Sequence, residues 1–148
     1  MKMEKQGQPP GFTLIEAVFV IALLGALVYA GAGSFMSLAP KYRLESAVWQ
    51  VRSALNAARY KAMFEGNSVR VRFSPAGVDT EKYDPDRKAW LLVGRKSPEG
   101  VRVEANNSPV FTGQGTVTGL GTITVANEWG SYKLTLAITG RVKTTRVT

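Results

Sequence analysis

The sequence predicts an α+β fold: a long N-terminal helix, apolar in its first half and amphipathic in its second, packed on a small antiparallel β domain with two sheets. Three observations carry this expectation. The 24 residues from Ala17 to Pro40 contain no charged side chain. From Lys41 to Glu65 apolar residues recur at helical period. After Gly66 the pattern switches to period two, with glycine, proline and asparagine between short runs.

Residues 1–11 are polar, contain Pro9 and Pro10, and carry Lys2 and Lys5. The prolines disfavour helix, and the lysines hold this end on the cytoplasmic side by the positive-inside bias. Residues 12–40 read as a membrane helix. A helix of that uncharged run spans about 36 Å, against a hydrocarbon core of about 30 Å. Glu16 stands at its entrance, where a carboxylate is costly unless paired. On a helix Glu16 lies one turn after Phe12 on the same face, so an amine freed at Phe12 could pair with a carboxylate in that position. Gly25, Gly31 and Gly33 permit either close helix–helix approach or a looser helix. Pro40 is expected to kink or interrupt the helix at the membrane exit.

Three other readings of the apolar run remain. A secretory signal could be cut after Ala30-Gly31-Ala32, although Glu16 and the helix-forming sequence beyond Ala32 argue against it. A plain membrane anchor fits the run as well. A buried core helix of a soluble protein fits poorly, because the run is too long and too uniformly apolar.

Residues 41–66 read as an amphipathic helix. Leu44, Val48, Val51, Leu55, Ala58 and Ala62 form one stripe, and Gly66-Asn67 supplies a stop. Residues 67–148 read as β-rich. Val69, Val71 and Phe73 alternate with polar residues, and further strands are expected at Ala89–Val93, Val101–Glu104, Val110–Thr112, Thr116–Thr118, Thr122–Ala126, Lys133–Ile138 and Arg141–Val147. The acidic segment Asp79–Asp86 is expected to be a solvated hairpin loop, its four carboxylates too irregularly spaced for calcium and offset by Lys82, Arg87 and Lys88. Trp49, Trp90 and Trp129 are expected to pack rather than to stack on bases; of the three, Trp129 stands beside the basic tail.

Composition excludes several chemistries. The chain has no cysteine and no histidine, so disulfides, thiolate nucleophiles, histidine triads and the usual zinc sets are absent. No catalytic constellation, cofactor or metal site is expected, and a soluble secreted enzyme has nothing to recommend it. The formal net charge of +8 favours acidic partners such as nucleic acid or anionic lipid.

Gly11-Phe12-Thr13-Leu14-Ile15-Glu16 resembles the prepilin processing site of the type IV pilin superfamily. The resemblance implies a pilin-like fold and a prepilin peptidase that cuts after Gly11 and methylates Phe12. It implies that Glu16 meets a neighbouring subunit's N-terminal amine in a filament. It also implies a single-pass inner-membrane protein with a periplasmic globular domain, which assembles with other pilins or pseudopilins through its N-terminal helix.

Asn56–Ala62, Val69–Gly77, Ile123–Val125 and Thr139–Lys143 are similar to the GspH/FimT branch of that superfamily. This branch holds a minor pseudopilin of type II secretion, near the tip of a short filament, and a DNA-binding minor pilin of natural transformation. In the DNA-binding relatives, arginines in and beyond a Gly-Arg motif make the contact, which maps onto Gly140, Arg141, Lys143 and Arg146. Arg141 and Lys143 share one side of a strand. Arg146 faces the other way unless the strand bulges or frays. These cations otherwise read as guards on a solvated edge strand.

Overall fold

The computed structural model describes residues 11–74 and 77–147, with residues 32–37 described by backbone alone. The expected leader therefore lies, apart from Gly11, outside the described residues, as do Pro75 and Ala76 at the end of one expected strand.

Helix α1 runs unbroken from Leu14 to Glu65, 52 residues with Pro40 inside. Pro40 does not interrupt it, contrary to one of the two sequence expectations. Packing holds the helix on the far side of the proline, where Leu44 is fully buried, and Asn127 Nδ2 donates to the Pro40 carbonyl at 2.7 Å. The chain divides into two compact units, residues 1–38 and 39–148. In the first, the described apolar side chains are exposed, among them Ile15, Phe19, Ile21, Leu27 and Val28. The second contains the whole hydrophobic core.

Nine strands follow among the described residues: β1 Val69–Ser74, β2 Gly77–Asp84, β3 Ala89–Lys96, β4 Arg102–Ala105, β5 Val110–Phe111, β6 Val117–Thr118, β7 Thr122–Asn127, β8 Gly130–Leu136 and β9 Val142–Val147. They form a five-stranded sheet in the order β3-β2-β1-β5-β6 and a four-stranded sheet in the order β4-β7-β8-β9, with every pairing antiparallel. The expected helical stripe is the core face of α1. Leu44, Val51, Leu55, Ala58 and Ala62 are buried with Val69 and Val71 of β1, Phe111 of β5, Ile123 and Val125 of β7, and Leu134 of β8, and Val48 packs at the margin. One helix face thus covers the inner faces of both sheets.

One element overturns an expectation. Gly77–Asp84, which includes the first part of the expected acidic loop, is strand β2, between β1 and β3. Asp79 and Glu81 have cross-strand arginine partners, so this part is a sheet interior rather than a solvated turn. Only Pro85 to Lys88 remain as the hairpin turn. Gly94 likewise does not end a strand. β3 continues to Lys96, and the register shifts so that Thr80 pairs with Gly94 and Glu81 with Leu92, leaving Val93 as the extra residue of a bulge.

Candidate functional site

Gly11, Phe12 and Thr13 lie ahead of α1 in exposed, irregular chain. Thr13 caps the helix. Its Oγ1 accepts the Glu16 N–H at 3.3 Å, and its carbonyl accepts the Ala17 N–H at 3.2 Å. Thr13-x-x-Glu16 has the spacing of a capping box, and the Glu16 carboxylate sits in the first turn, at the positive end of the helix dipole. Sequence reasoning missed this role, although the motif was visible before the apolar run. It also put Phe12 and Glu16 on one helical face. The helix starts two residues after Phe12, so helical register does not join them in the uncut chain, where the Phe12 nitrogen is an amide rather than an amine. Phe12 and Leu14 are 82% and 83% exposed. Leu14–Gly31 is long and apolar enough to cross a membrane, and none of it is buried within the protein.

On the outer face of the five-stranded sheet, acids of β2 alternate with arginines of β1 and β3. Asp79 Oδ1 and Oδ2 accept from Arg95 at 2.6 and 2.9 Å. Glu81 accepts from Arg70 Nε at 2.8 Å and faces Arg72 at 2.9 Å. Both acids are buried beneath guanidiniums that remain partly exposed. The hydrogen bonds from Arg95 hold the Asp79 carboxyl below its usual range against the opposing effect of burial, and Asp79 in turn raises Arg95. Trp90 packs edge-on to Tyr83 at 5.3 Å, with the Arg70 guanidinium 4.3 Å from its ring. At the end of α1, Glu65 bridges Lys61 and Lys82, each at 2.6 Å, and hydrogen bonds from these two lysines lower its pKa.

The basic tail does not form a three-cation patch. β9 keeps regular register with β8, without a bulge. Lys143 lies opposite Thr135, and Thr145 opposite Lys133, so both lysines occupy the exposed face whose reverse carries buried Leu134 and Leu136. Arg141, two residues before Lys143, is also exposed. Arg146 belongs to the other side, its guanidinium 4.2 Å from the Trp129 ring centre. Lys133, Arg141 and Lys143 are therefore the exposed cations on that side, while Arg146 is exposed on the other. Lys133 was missed because its place depends on β8–β9 register. β9 is an edge strand, as expected.

The Gly-Arg motif meets the helix. Gly140 has φ 78°, and a Cβ there would lie 2.7 Å from Arg59 Cδ. Arg59 Nε donates to the Gly115 carbonyl at 3.1 Å. Two separate sequence pieces, Asn56–Ala62 and Thr139–Lys143, thus come together around one arginine side chain.

Trp129 and Trp90 pack, but Trp49 does not. It is 70% exposed, on the solvent side of α1 with Tyr42, Tyr60 and Phe64. Among the described residues no three acids converge in a way that would hold a metal.

No family model matches the chain, and no curated protein matches it in sequence. Solved structures do share its fold, which is that of the type IV pilin-like minor subunits. The minor pseudopilin EpsH from the Type 2 Secretion System of Vibrio cholerae aligns at 15% identity and TM-score 0.57, over 68% of this chain and 94% of that one. The type IV minor pilin FimU of Pseudomonas aeruginosa aligns in one crystal form at 15% identity and TM-score 0.55, over 68% and 91%. In a second crystal form it aligns at 15% identity and TM-score 0.58, over 70% and 88%.

Proposed function

We propose that the chain is a non-enzymatic minor subunit of a type II secretion pseudopilus, positioned near the filament tip. It is inserted in the inner membrane with its globular domain in the periplasm, cut after Gly11 by prepilin peptidase, methylated at Phe12, and assembled through its N-terminal helix. The observation that carries this reading is a wholly exposed apolar helix on a domain whose fold matches minor pseudopilins and minor pilins. Such a surface needs lipid or other apolar helices to cover it. Exposed, irregular chain at Gly11–Thr13 suits a protease, whereas Ala30–Ala32 lies within continuous helix and suits a signal peptidase poorly. In the assembled state the new Phe12 amine is neutralised by Glu16 of a neighbour.

The test is cross-linking of the Glu16→Ala variant in cells. Cleavage after Gly11 persists while filament cross-links fall at least tenfold, because one partner of a charge pair in an apolar setting is gone. Full assembly of the variant would contradict the role given to Glu16.

A second reading, a DNA-binding minor pilin for uptake, is favoured by the exposed grouping of Lys133, Arg141 and Lys143. Its test is a salt titration of DNA binding by the whole chain beside a variant with these three cations changed to glutamine. Binding that falls steeply with salt, with a shallower slope in the variant, supports DNA contact through this face. Equal, weak binding by both proteins leaves the pseudopilus reading alone.

A further inference from the structure

Residues far apart in the sequence gather around the start of the second unit. Asn127, the last residue of β7, ties the β7–β8 hairpin to α1. Its Nδ2 donates to the Pro40 carbonyl at 2.7 Å, and its Oδ1 accepts the Trp129 N–H at 2.9 Å. The Trp129 indole is half-buried and carries a cation at two places on its ring, Lys41 Nζ at 5.5 Å and the Arg146 guanidinium at 4.2 Å. Such stacking holds a cation in place and leaves its N–H groups free to bind an anion. Arg43 and Arg102, both exposed, line an open groove beside Asn127, with Glu128 at its rim. The other acids nearby are Glu45, one helical turn after Lys41, Glu99, which lines a neighbouring groove with Arg43, and Glu104, 3.8 Å from Arg102. Among the described residues, Lys41, Arg43 and Arg146 have no acid in ion-pairing range, so their charge stays available.

The chain's connectivity says what such a cluster faces. Lys41 follows directly on the uncharged run that ends at Pro40. A bilayer with its headgroup layers is about 40–45 Å thick, or roughly 27–30 helical residues. Counted from Phe12, that reaches the neighbourhood of Lys41. Tryptophan favours the interface at this depth, and lysine and arginine favour anionic headgroups.

We propose that Lys41 and Arg146, stacked on Trp129, together with Arg43 and Arg102 of the groove beside Asn127, form a docking surface for anionic lipid headgroups. This surface holds the globular domain on the bilayer before the subunit enters a filament. The proposal rests on the reading of the N-terminal helix as membrane-inserted. It gives Arg146 a task separate from the exposed face that carries Arg141 and Lys143.

The test is hydrogen exchange of the full chain in nanodiscs of phosphatidylcholine alone or mixed with phosphatidylglycerol at about two to one. Amides of residues 127–131 and 142–147 should exchange several-fold more slowly in the anionic discs, and the difference should vanish at high salt. Each cation near such a surface is worth about fivefold in association. The paired change Arg43→Gln and Arg146→Gln should therefore abolish the difference. The charge-matched change Arg87→Gln and Lys88→Gln, in the hairpin turn after β2, should preserve it. Equal exchange in both kinds of disc, or equal loss in both variants, overturns the proposal while leaving the membrane helix intact. A chain that enters neither kind of disc overturns the membrane reading and this proposal together.

Discussion

Gly140 is the residue on which the C-terminal part of the fold most visibly depends. Its positive φ disfavours any side chain, and the Arg59 side chain fills the space where a Cβ would stand. Gly140→Ala is expected to cost about 1–3 kcal/mol, read as a lower midpoint in urea unfolding. Two ion-paired acids make a second residue-scale claim. Asp79 and Glu65 have pKa values lowered in the folded state, so their contribution is present above the unfolded values near 4 and is lost as pH falls through the folded ones. Stability should therefore hold from pH 7 to about pH 5 and fall steeply below about pH 4. Asp79→Asn should be less stable at pH 7 and lose less on acidification, as followed by thermal unfolding across that range. An unchanged acid slope would show that the Arg95–Asp79 pair is not coupled to folding.

At the scale of elements, what could be read in the sequence followed the strength of each periodic signal. The helical stripe from Leu44 to Ala62 named the core face of α1, because burial on one side imposes period 3.6 whatever lies opposite. The strands with alternating apolar residues were legible for the same reason. β2 was not. Of its inward positions only Val78 is large and apolar, followed by Thr80 and Lys82, while Asp79 and Glu81 face outward, and their burial depends on arginines of β1 and β3 that only sheet pairing brings near. A charged residue with an unseen partner looks like a loop residue. The candidate site divides in the same way. Gly11, Phe12 and Glu16 fall within one six-residue motif, so the processing and assembly roles proposed for them come from local sequence alone. Of the tail cations, strand parity correctly separated Arg146 from Arg141 and Lys143. Lys133 and the Lys41–Trp129–Arg146 stack needed strand register and tertiary contact. The capping role of Thr13 was readable but overlooked, because attention went to the acid rather than to the residue three before it.

For the whole molecule, the two units answer to different surroundings. The second, residues 39–148, has a core of its own and pairs its buried carboxylates internally. In the first, the leucines, valines and phenylalanines among the described residues are exposed, which makes water the wrong solvent for it. A membrane, and then a bundle of like helices, would supply the missing cover under the function proposed above. The most direct measurement is the intact mass and N-terminal sequence of the protein recovered from cell membranes. The expected result is a chain that begins at Phe12 and carries one added methyl group, with residues 1–11 gone. A chain that still begins at Met1, or one cut after Ala32, would contradict the account.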